Sequence, residues 1–337
     1  MKSFNQVLII AEIGQAHDGS LGMAHAYIDA LAPTGVDAVK FQIHIAEAES
    51  SEFEPFRTEF SYEDKTRYDY WERTAFSTEQ WDQLKDHCEK VGLEFIGSAF
   101  SNAAVNLLEK LGVNKYKVGS GEISNLLLLR RIAETGKDII LSSGMSTFAE
   151  LDDSIGFLKA YGNPISLLQC TTKYPTSAKD VGLNVIEQMR MRYGLPTGLS
   201  DHSGTIYPAL AATALGASII EVHAVFDKRM FGPDTASSLT IDEIRFMVNG
   251  VRFIEDALKH EIEKNDTKQF EKLKEIFGKS LAVNKDLKAG TSLTFDDLES
   301  KKPFGVGIPA RDFSAIIGKK LRVDKKKYEF LKYGNIT

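Results

Sequence analysis

Eight nearly continuous apolar segments recur along the chain up to residue 223, and most are followed by a stretch with helical spacing. Strands covered on both faces show such runs, whereas a strand with one wet face alternates between apolar and polar residues. The pattern therefore predicts eight β-strands, at residues 7–14, 38–44, 94–100, 115–120, 138–144, 166–171, 198–202 and 219–223.

Helix signals fill the gaps between these strands. Ser77 and Thr147 each precede a Gln or Glu by three residues, the capping-box pattern of a helix N-terminus. Eight strand–helix units in about 260 residues are typical of a TIM (β/α)8 barrel, an α/β fold. A doubly wound open sheet is the alternative. No G-x-G-x-x-G follows the first strand, which disfavours its nucleotide-binding form.

Two regions depart from the strand–helix rhythm. The connection at 45–71 is long, acidic and aromatic, which indicates either a functional lid or oligomer contact, or a mobile solvated insertion. After a last helix at 241–260, a charged stretch leads to short segments with Gly/Pro turns. We therefore predict a barrel domain at 1–260, a linker at 261–277 and a small second domain at 278–337, near the size limit for independent stability.

Composition narrows the function classes. The chain has 337 residues and a net charge of −6, which argues against non-specific nucleic-acid binding. Its two cysteines, Cys88 and Cys170, form no disulfide framework. The apolar stretch near the N-terminus is too short for a signal peptide or a membrane span. These features predict a cytoplasmic protein with neither nucleic acid nor membrane as partner.

Two histidines end the last two predicted strands. In a barrel, chemistry belongs at the C-terminal ends of strands. Adjacent strands lie about 4.8 Å apart, so His202 and His223 could share one divalent ion at about 2.0–2.2 Å. His17 lies one predicted strand further round the closed ring and adds to this expectation. The alternative is that these histidines are structural.

Two lysines, Lys40 and Lys117, fall within predicted buried strands. A buried lysine costs several kcal/mol unless an anion accompanies it. Carboxylates could supply part of that charge, and the candidates are Glu12, Glu122, Glu221 and Asp234. The nearby hydroxyls of Ser120, Ser142 and Ser200, with backbone N–H groups at 119–121, instead favour a bound phosphate or carboxylate.

Several motifs occur together in a fixed order, and through them the chain resembles the sialic acid synthase family from about residue 7 to residue 330. The matching segments are AEIGQAHDGS at 11–20, VKFQ at 39–42, YKVGSGE at 116–122, LSSGM at 141–145, CTTKYPT at 170–176, GLSDH at 198–202, EVH at 221–223 and GPD at 232–234. The C-terminal segment resembles the antifreeze-protein-like (SAF) domain of these enzymes.

The resemblance implies a transferase that condenses phosphoenolpyruvate with an N-acylated mannosamine-type sugar, giving a nonulosonic acid and phosphate. It implies a divalent ion on His202 and His223, typically Mn²⁺, with Mg²⁺ or Co²⁺ as alternatives. It also implies a domain-swapped homodimer, in which the SAF domain closes the partner's active site.

Individual roles follow from the same resemblance. Phosphoenolpyruvate would be bound by Lys40, Lys117, Ser120, Ser142 and Ser200, with Ser98, Thr172 and Tyr174 nearby. Glu122 would activate or position the water that adds to carbon 2. Glu12, Gln42 and Asp234 would contact the sugar, and Glu12 and Lys117 are counted with Glu122 as catalytic candidates.

Three positions depart from the family pattern. Ala16 and Thr172 stand where the family often has Asn, and Lys302 stands where an arginine normally contacts the sugar's N-acyl group. Lys302 is therefore a candidate sugar contact. Because lysine cannot reproduce the planar fork of arginine, this position does not determine the identity of the acceptor sugar. A legionaminic-, pseudaminic- or spore-coat-type sugar acid is an alternative product. A Schiff-base aldolase using Lys40 or Lys117, and a non-catalytic sugar-acid-binding protein, are the other functions compatible with the residues.

Overall fold

Eight parallel strands close into a ring in the computed structural model, which describes residues 6–58 and 60–337. The strands are β1 (Leu8–Gly14), β2 (Ala38–Ile43), β3 (Glu94–Ala99), β4 (Lys115–Val118), β5 (Asp138–Ser142), β6 (Ile165–Cys170), β7 (Thr197–Asp201) and β8 (Ile219–Val225). Each pairs with its neighbour in sequence, and β1 pairs in parallel with β8, with Glu12 opposite His223. The predicted TIM barrel is confirmed, and the open-sheet alternative is wrong because the ring is closed.

Helices surround the ring in the expected alternation. They are α1 (Leu21–Leu31), α2 (Ala46–Glu49), α3 (Arg67–Thr74), α4 (Thr78–Lys90), α5 (Asn102–Leu111), α6 (Leu126–Ala133), α7 (Phe148–Lys159), α8 (Leu183–Tyr193), α9 (Tyr207–Ala214) and α10 (Ile241–Lys259). Both predicted capping boxes form, since the side chains of Ser77 and Thr147 accept from the backbone three residues on. A two-residue strand, β9 (Leu239–Thr240), pairs with the end of β8.

The inside of the ring is divided into an apolar layer and a polar layer. The apolar layer consists of Ile10, Ala38, Ile96, Ile140, Leu168 and Ile219, one from each of six strands. Because side chains on a strand alternate with period two, the residues two positions further on point to the same interior. These are Glu12, Lys40, Ser98, Ser142, Cys170 and Glu221. Inside the barrel, the polar layer therefore lies directly on the C-terminal side of the apolar layer.

By its internal contacts the chain divides into two units, Met1–His260 and Glu261–Thr337. The second unit contains α11 (Glu271–Phe277) and an antiparallel pair, β10 (Ser280–Val283) with β11 (Leu298–Lys301), around its own apolar core. Residues 261–277, predicted as a linker, group with this unit. Among the described residues, no helix has both the length and the apolar character needed to cross a membrane.

Candidate active site

A cavity of about 270 Å³ opens at the C-terminal ends of the barrel strands. Twelve of the residues predicted from the sequence line it together. They are Lys40, Gln42, Ser98, Lys117, Ser120, Ser142, Thr172, Tyr174, Ser200, His202, His223 and Asp234. The barrel brings them together because its strand ends converge on one face.

Lys40 and Lys117 share one buried carboxylate, Glu221. The Oε2 of Glu221 lies 3.7 Å from the Nζ of Lys40, and its Oε1 lies 3.6 Å from the Nζ of Lys117. Lys40 also forms an ion pair with Glu12, which is completely buried. The four charges cancel, so the protein itself compensates the lysines, and both lysines line the cavity, where an anion can reach them.

The surroundings change the pKa values of these groups in different directions. Burial lowers the pKa of Lys117, and the charge of Glu221 offsets this only in part. Burial also opposes the charged form of Lys40, but Glu12 and Glu221 outweigh it and raise that pKa. Burial opposes ionisation of Glu221 as well, yet the two lysines hold its pKa down at about 2. Glu221 is therefore a carboxylate at neutral pH.

Hydroxyl groups accompany the charges. Lys40 donates to Ser98 Oγ at 3.1 Å, and Lys117 donates to Ser142 Oγ at 2.7 Å, so each serine O–H remains available to a ligand. The Oγ1 of Thr172 is buried and has no partner within the protein. A Cβ at Gly144 would lie 2.4 Å from this oxygen, so glycine is what allows the close approach. These hydroxyls and ammonium groups can hold a phosphate or a carboxylate.

His202, directly after β7, and His223, on the neighbouring β8, lie side by side in the cavity lining, with ring centres 5.1 Å apart. Burial, with the neighbouring His223, lowers the pKa of His202 to about 3, so this imidazole is neutral, the form that binds metals. An ion bound at about 2.1 Å from each ring nitrogen fits this separation. Among residues 6–58 and 60–337, no three His, Cys, Asp or Glu side chains form a metal-binding group. The pair fits a divalent ion whose remaining ligands are water or substrate oxygens.

The connection from β2 to α4, residues 44–77 and called the insert below, forms one wall of the cavity. It contributes Phe56, Arg57, Thr58, Phe60, Arg67, Tyr70 and Trp71 to the lining. Arg57 stacks over the ring of Tyr174, 3.8 Å from its centroid, and its Nη2 lies 2.6 Å from Oδ1 of Asp234. Nothing in the sequence pattern singled out Arg57, although a functional lid was one of the alternatives for the long aromatic loop that carries it.

Two predicted residues, Glu12 and Glu122, are not among the residues that line the cavity. Glu12 is sealed beneath Lys40 and Gln42 and does not line the cavity, so it acts through those two side chains. Glu122 lies beside the cavity-lining Gly121 and accepts from Asn125 Nδ2 at 2.8 Å.

The expectation that His17 joins the other two histidines is wrong. Its ring packs on Phe76 and Trp81, with centroid separations of 4.7 and 6.5 Å, and it is not among the cavity-lining residues. The chain turns after β1 and carries this side chain outside the ring.

Lys302 lies in the second unit, where its Nζ is 4.8 Å from the centre of the Phe277 ring.

A closed (β/α)8 barrel whose C-terminal face holds two lysines, two imidazoles and a set of hydroxyls is the architecture of an enzyme acting on an anionic substrate. The comparisons with known proteins agree. The model of the NeuB family matches residues 27–263, and that of the SAF domain matches residues 278–336.

Individual relatives cover nearly the whole chain. An N,N'-diacetyllegionaminic acid synthase of Campylobacter jejuni is 33% identical and covers 97% of this chain and 99% of its own length. A pseudaminic acid synthase of Helicobacter pylori is also 33% identical, over 93% of this chain and 92% of its own. The crystal structure of an N-acetylneuraminic acid synthetase of Leptospira borgpetersenii, in complex with citrate, matches with a TM-score of 0.71 and 31% identity, covering 80% of this chain and 91% of that one.

The chain therefore belongs to the NeuB family and is a transferase of the sialic acid synthase type. Its second unit is a SAF domain. Both conclusions agree with the resemblance noted in the sequence.

Proposed function

We propose that this enzyme condenses phosphoenolpyruvate with an N-acylated mannosamine-type sugar, giving a nonulosonic acid and phosphate. The observation that carries the proposal is the presence in one cavity of an anion-binding set, built on Lys40 and Lys117, and a pair of imidazoles, His202 and His223. The names of the relatives support the class of product, and three different sugar acids occur among them at 31–33% identity. The acceptor sugar is therefore the open variable of the proposal.

The reaction uses the two halves of the cavity together. Lys40, Lys117 and the serine hydroxyls hold the phosphate and carboxylate of phosphoenolpyruvate, so that its carbon 3 faces the aldehyde of the open-chain sugar. A bond forms between carbon 3 and the aldehyde carbon, and the aldehyde oxygen takes up a proton. Water then adds to carbon 2 and gives up one proton. The new hydroxyl then passes its remaining proton to the leaving phosphate as the bond from carbon 2 to the phosphate oxygen breaks and the ketone of the product forms. Holding both reactants in one orientation supplies much of the acceleration.

Glu122 is the residue we assign to the water. Burial raises the pKa of its carboxyl, and the charge of Glu49 adds to the effect, so its carboxylate is a better proton acceptor than an exposed glutamate. Gln42 on β2 and Asp234 after β8 would bind sugar hydroxyls. Burial opposes ionisation of Asp234, but His223 and Arg57 lower its pKa and keep it an acceptor.

We assign His202 and His223 to a divalent ion, Mn²⁺ in the first instance, with Mg²⁺ or Co²⁺ as alternatives. When bound, such an ion supplies Lewis-acid polarisation of a carbonyl oxygen. Activity that survives exhaustive EDTA treatment would remove the metal from the proposal. Loss of activity that returns on adding Mn²⁺, but not in a His202→Ala variant, would support it.

We also propose a cytoplasmic homodimer, because phosphoenolpyruvate is a cytoplasmic metabolite and the family resemblance implies domain swapping. In such a dimer Lys302 would approach the sugar bound by the partner. Mixing a Lys302→Ala chain with a chain inactivated at Lys117 should then restore activity in the mixed dimer. Light scattering that finds only monomers at assay concentration contradicts this part of the proposal.

The decisive experiment is a panel of N-acylated amino sugars incubated with phosphoenolpyruvate, with phosphate release and mass spectrometry of the sugar acid as readouts. Lys117→Met is the matched negative control, because it removes the ammonium group and keeps most of the side-chain volume. Borohydride trapping of a pyruvate–lysine adduct would instead support the aldolase alternative. Absence of phosphate release with every sugar of the panel, from metal-loaded protein, would count against condensation.

A further inference from the structure

His44 lines the cavity and has no role in the reaction described above, yet its side chain is held on every side. It follows β2 directly and is 8% exposed. Its ring stacks between Trp71 and Phe100, with centroid separations of 3.6 and 4.3 Å. Its Nδ1 lies 2.5 Å from Oε1 of Glu49, and its Nε2 lies 3.2 Å from Oε1 of Gln42. Such complete immobilisation of a titratable group calls for a function.

The partners of the two ring nitrogens determine how many protons His44 carries. Glu12 forms an ion pair with Lys40, so it is a carboxylate and only accepts hydrogen bonds. It accepts from Nε2 of Gln42 at 3.1 Å, and this orients the amide with its carbonyl oxygen toward His44. One ring nitrogen therefore faces a carbonyl and the other a carboxylate. Neither partner can donate, so both nitrogens of His44 must carry a proton.

The environment suits an imidazolium. Glu49 is a counter-ion in direct contact, and aromatic faces such as those of Trp71 and Phe100 attract cations. The other charged or titratable groups near this ring come from separate elements. They are Glu122 after β4, His17 after β1, and Arg67 on α3, which lies over Trp71 at 4.9 Å.

The two N–H groups join different parts of the protein. Glu49 belongs to α2 and Trp71 to α3, both within the insert, whereas Gln42 belongs to β2 of the barrel. Gln42 donates one amide hydrogen to Glu12, and its second amide hydrogen is left for the cavity. If the amide turned over, its carbonyl oxygen would replace that donor. His44 thus controls both the donor offered by Gln42 and the attachment of the cavity wall.

We propose that His44 is a positioning residue: as an imidazolium it keeps the Gln42 amide turned toward the acceptor sugar and ties the insert to the barrel. With only one proton, His44 could donate to only one of its two partners, and the link between the insert and Gln42 would be incomplete. The identity of the ligand of Gln42 rests on the function proposed above. The protonation of His44 does not.

Three variants separate charge from shape. In His44→Gln, the acceptor-sugar KM should rise about tenfold, the value of one lost hydrogen bond, with smaller changes in kcat and in the KM for phosphoenolpyruvate. In Glu49→Gln, the new amide can donate to Nδ1, so a neutral His44 still donates to Gln42. Its acceptor KM should therefore stay near the wild-type value. Glu47→Gln, which removes an exposed charge from the same helix, should behave as the wild type.

The protonation is measurable without any substrate. In protein labelled with ¹⁵N-histidine, two-bond proton–nitrogen correlation spectra at about pH 7 should show both His44 nitrogens protonated, and Glu49→Gln should convert the ring to a neutral form. The His44→Gln variant identifies the signal among the seven histidines. A neutral His44 in the wild type would overturn the proposal while leaving condensation intact. A His44→Gln variant that keeps the wild-type acceptor KM would overturn the positioning role.

Discussion

Replacing Glu221 by Gln removes a carboxylate that both buried lysines contact and leaves the volume of the side chain nearly unchanged. At separations of 3.6 and 3.7 Å, each ion pair amounts to about 4–5 kcal/mol if the effective dielectric constant is about 20. The carboxylate's own burial opposes this by several kcal/mol. The net loss in the free energy of unfolding should therefore be about 3–5 kcal/mol, the range for breaking a buried pair.

Urea unfolding followed by tryptophan fluorescence measures this loss in the right part of the molecule. Trp71 and Trp81, the two tryptophans of the chain, both belong to the barrel unit. Glu89→Gln is the matched control, because its pair with Lys85 is exposed and should contribute less than about 1 kcal/mol. Inorganic phosphate should stabilise the Glu221 variant more than the wild type, since an anion can replace the missing charge. A loss below about 1 kcal/mol, or equal stabilisation of both proteins by phosphate, would refute the counter-ion role.

Three further predictions address other parts of the barrel. Arg57→Ala should raise the KM for the acceptor sugar several-fold more than Arg57→Lys does, because the guanidinium bridges Tyr174 and Asp234. Steady-state kinetics in which neither variant differs from the wild type would contradict a substrate contact from the insert. Burial lowers the pKa of His17 to about 3, so only the unfolded histidine takes up a proton between about pH 6.5 and about pH 4, and acidification over this range should destabilise the fold. In urea unfolding, His17→Asn should reduce the dependence of the free energy of unfolding on pH, and an unchanged dependence would refute the assignment. Gly198→Ala should lower the free energy of unfolding by about 3 kcal/mol or more, because its Cβ would lie 2.1 Å from the carbonyl oxygen of Ile219. Gly156→Ala on α7 meets open space and should raise it by about 0.5–1 kcal/mol, so thermal melts that show equal effects would contradict the close packing at Gly198.

Much of the fold and of the site could be predicted because, in a closed barrel, the local pattern of each strand also determines where its side chains lie in the ring. Each apolar run identifies a strand, and closure of the ring sends the residue two positions beyond the apolar layer to a common face. This is why Lys40, Ser142 and Glu221, from three separate strands, could be placed near one another without any knowledge of contacts. The same rule explains why His202 and His223 were predicted correctly as neighbours.

Other features could not be predicted because they depend on depth and on loop paths. Strand periodicity places Glu12 on the inner face, but it does not say that Lys40 and Gln42 cover it completely. His17 follows β1 in a turn, where the period of two no longer applies, and the turn directs it outward against Phe76. The position of Arg57 results from the path of a long insert, which local propensities do not determine.

Because β1 pairs with β8, the site can form only late during synthesis of the chain. Lys40 leaves the ribosome 181 residues before Glu221, an interval of roughly 10–40 s at common translation rates. Throughout this time the nascent barrel lacks the last strand that closes it and the shared counter-ion of its two inner lysines. Both arrive together with β8, so completion of the ring and neutralisation of its interior are one event. A chain interrupted before residue 219 is left with an open edge and an uncompensated interior charge, two properties by which quality control can distinguish it from the finished enzyme.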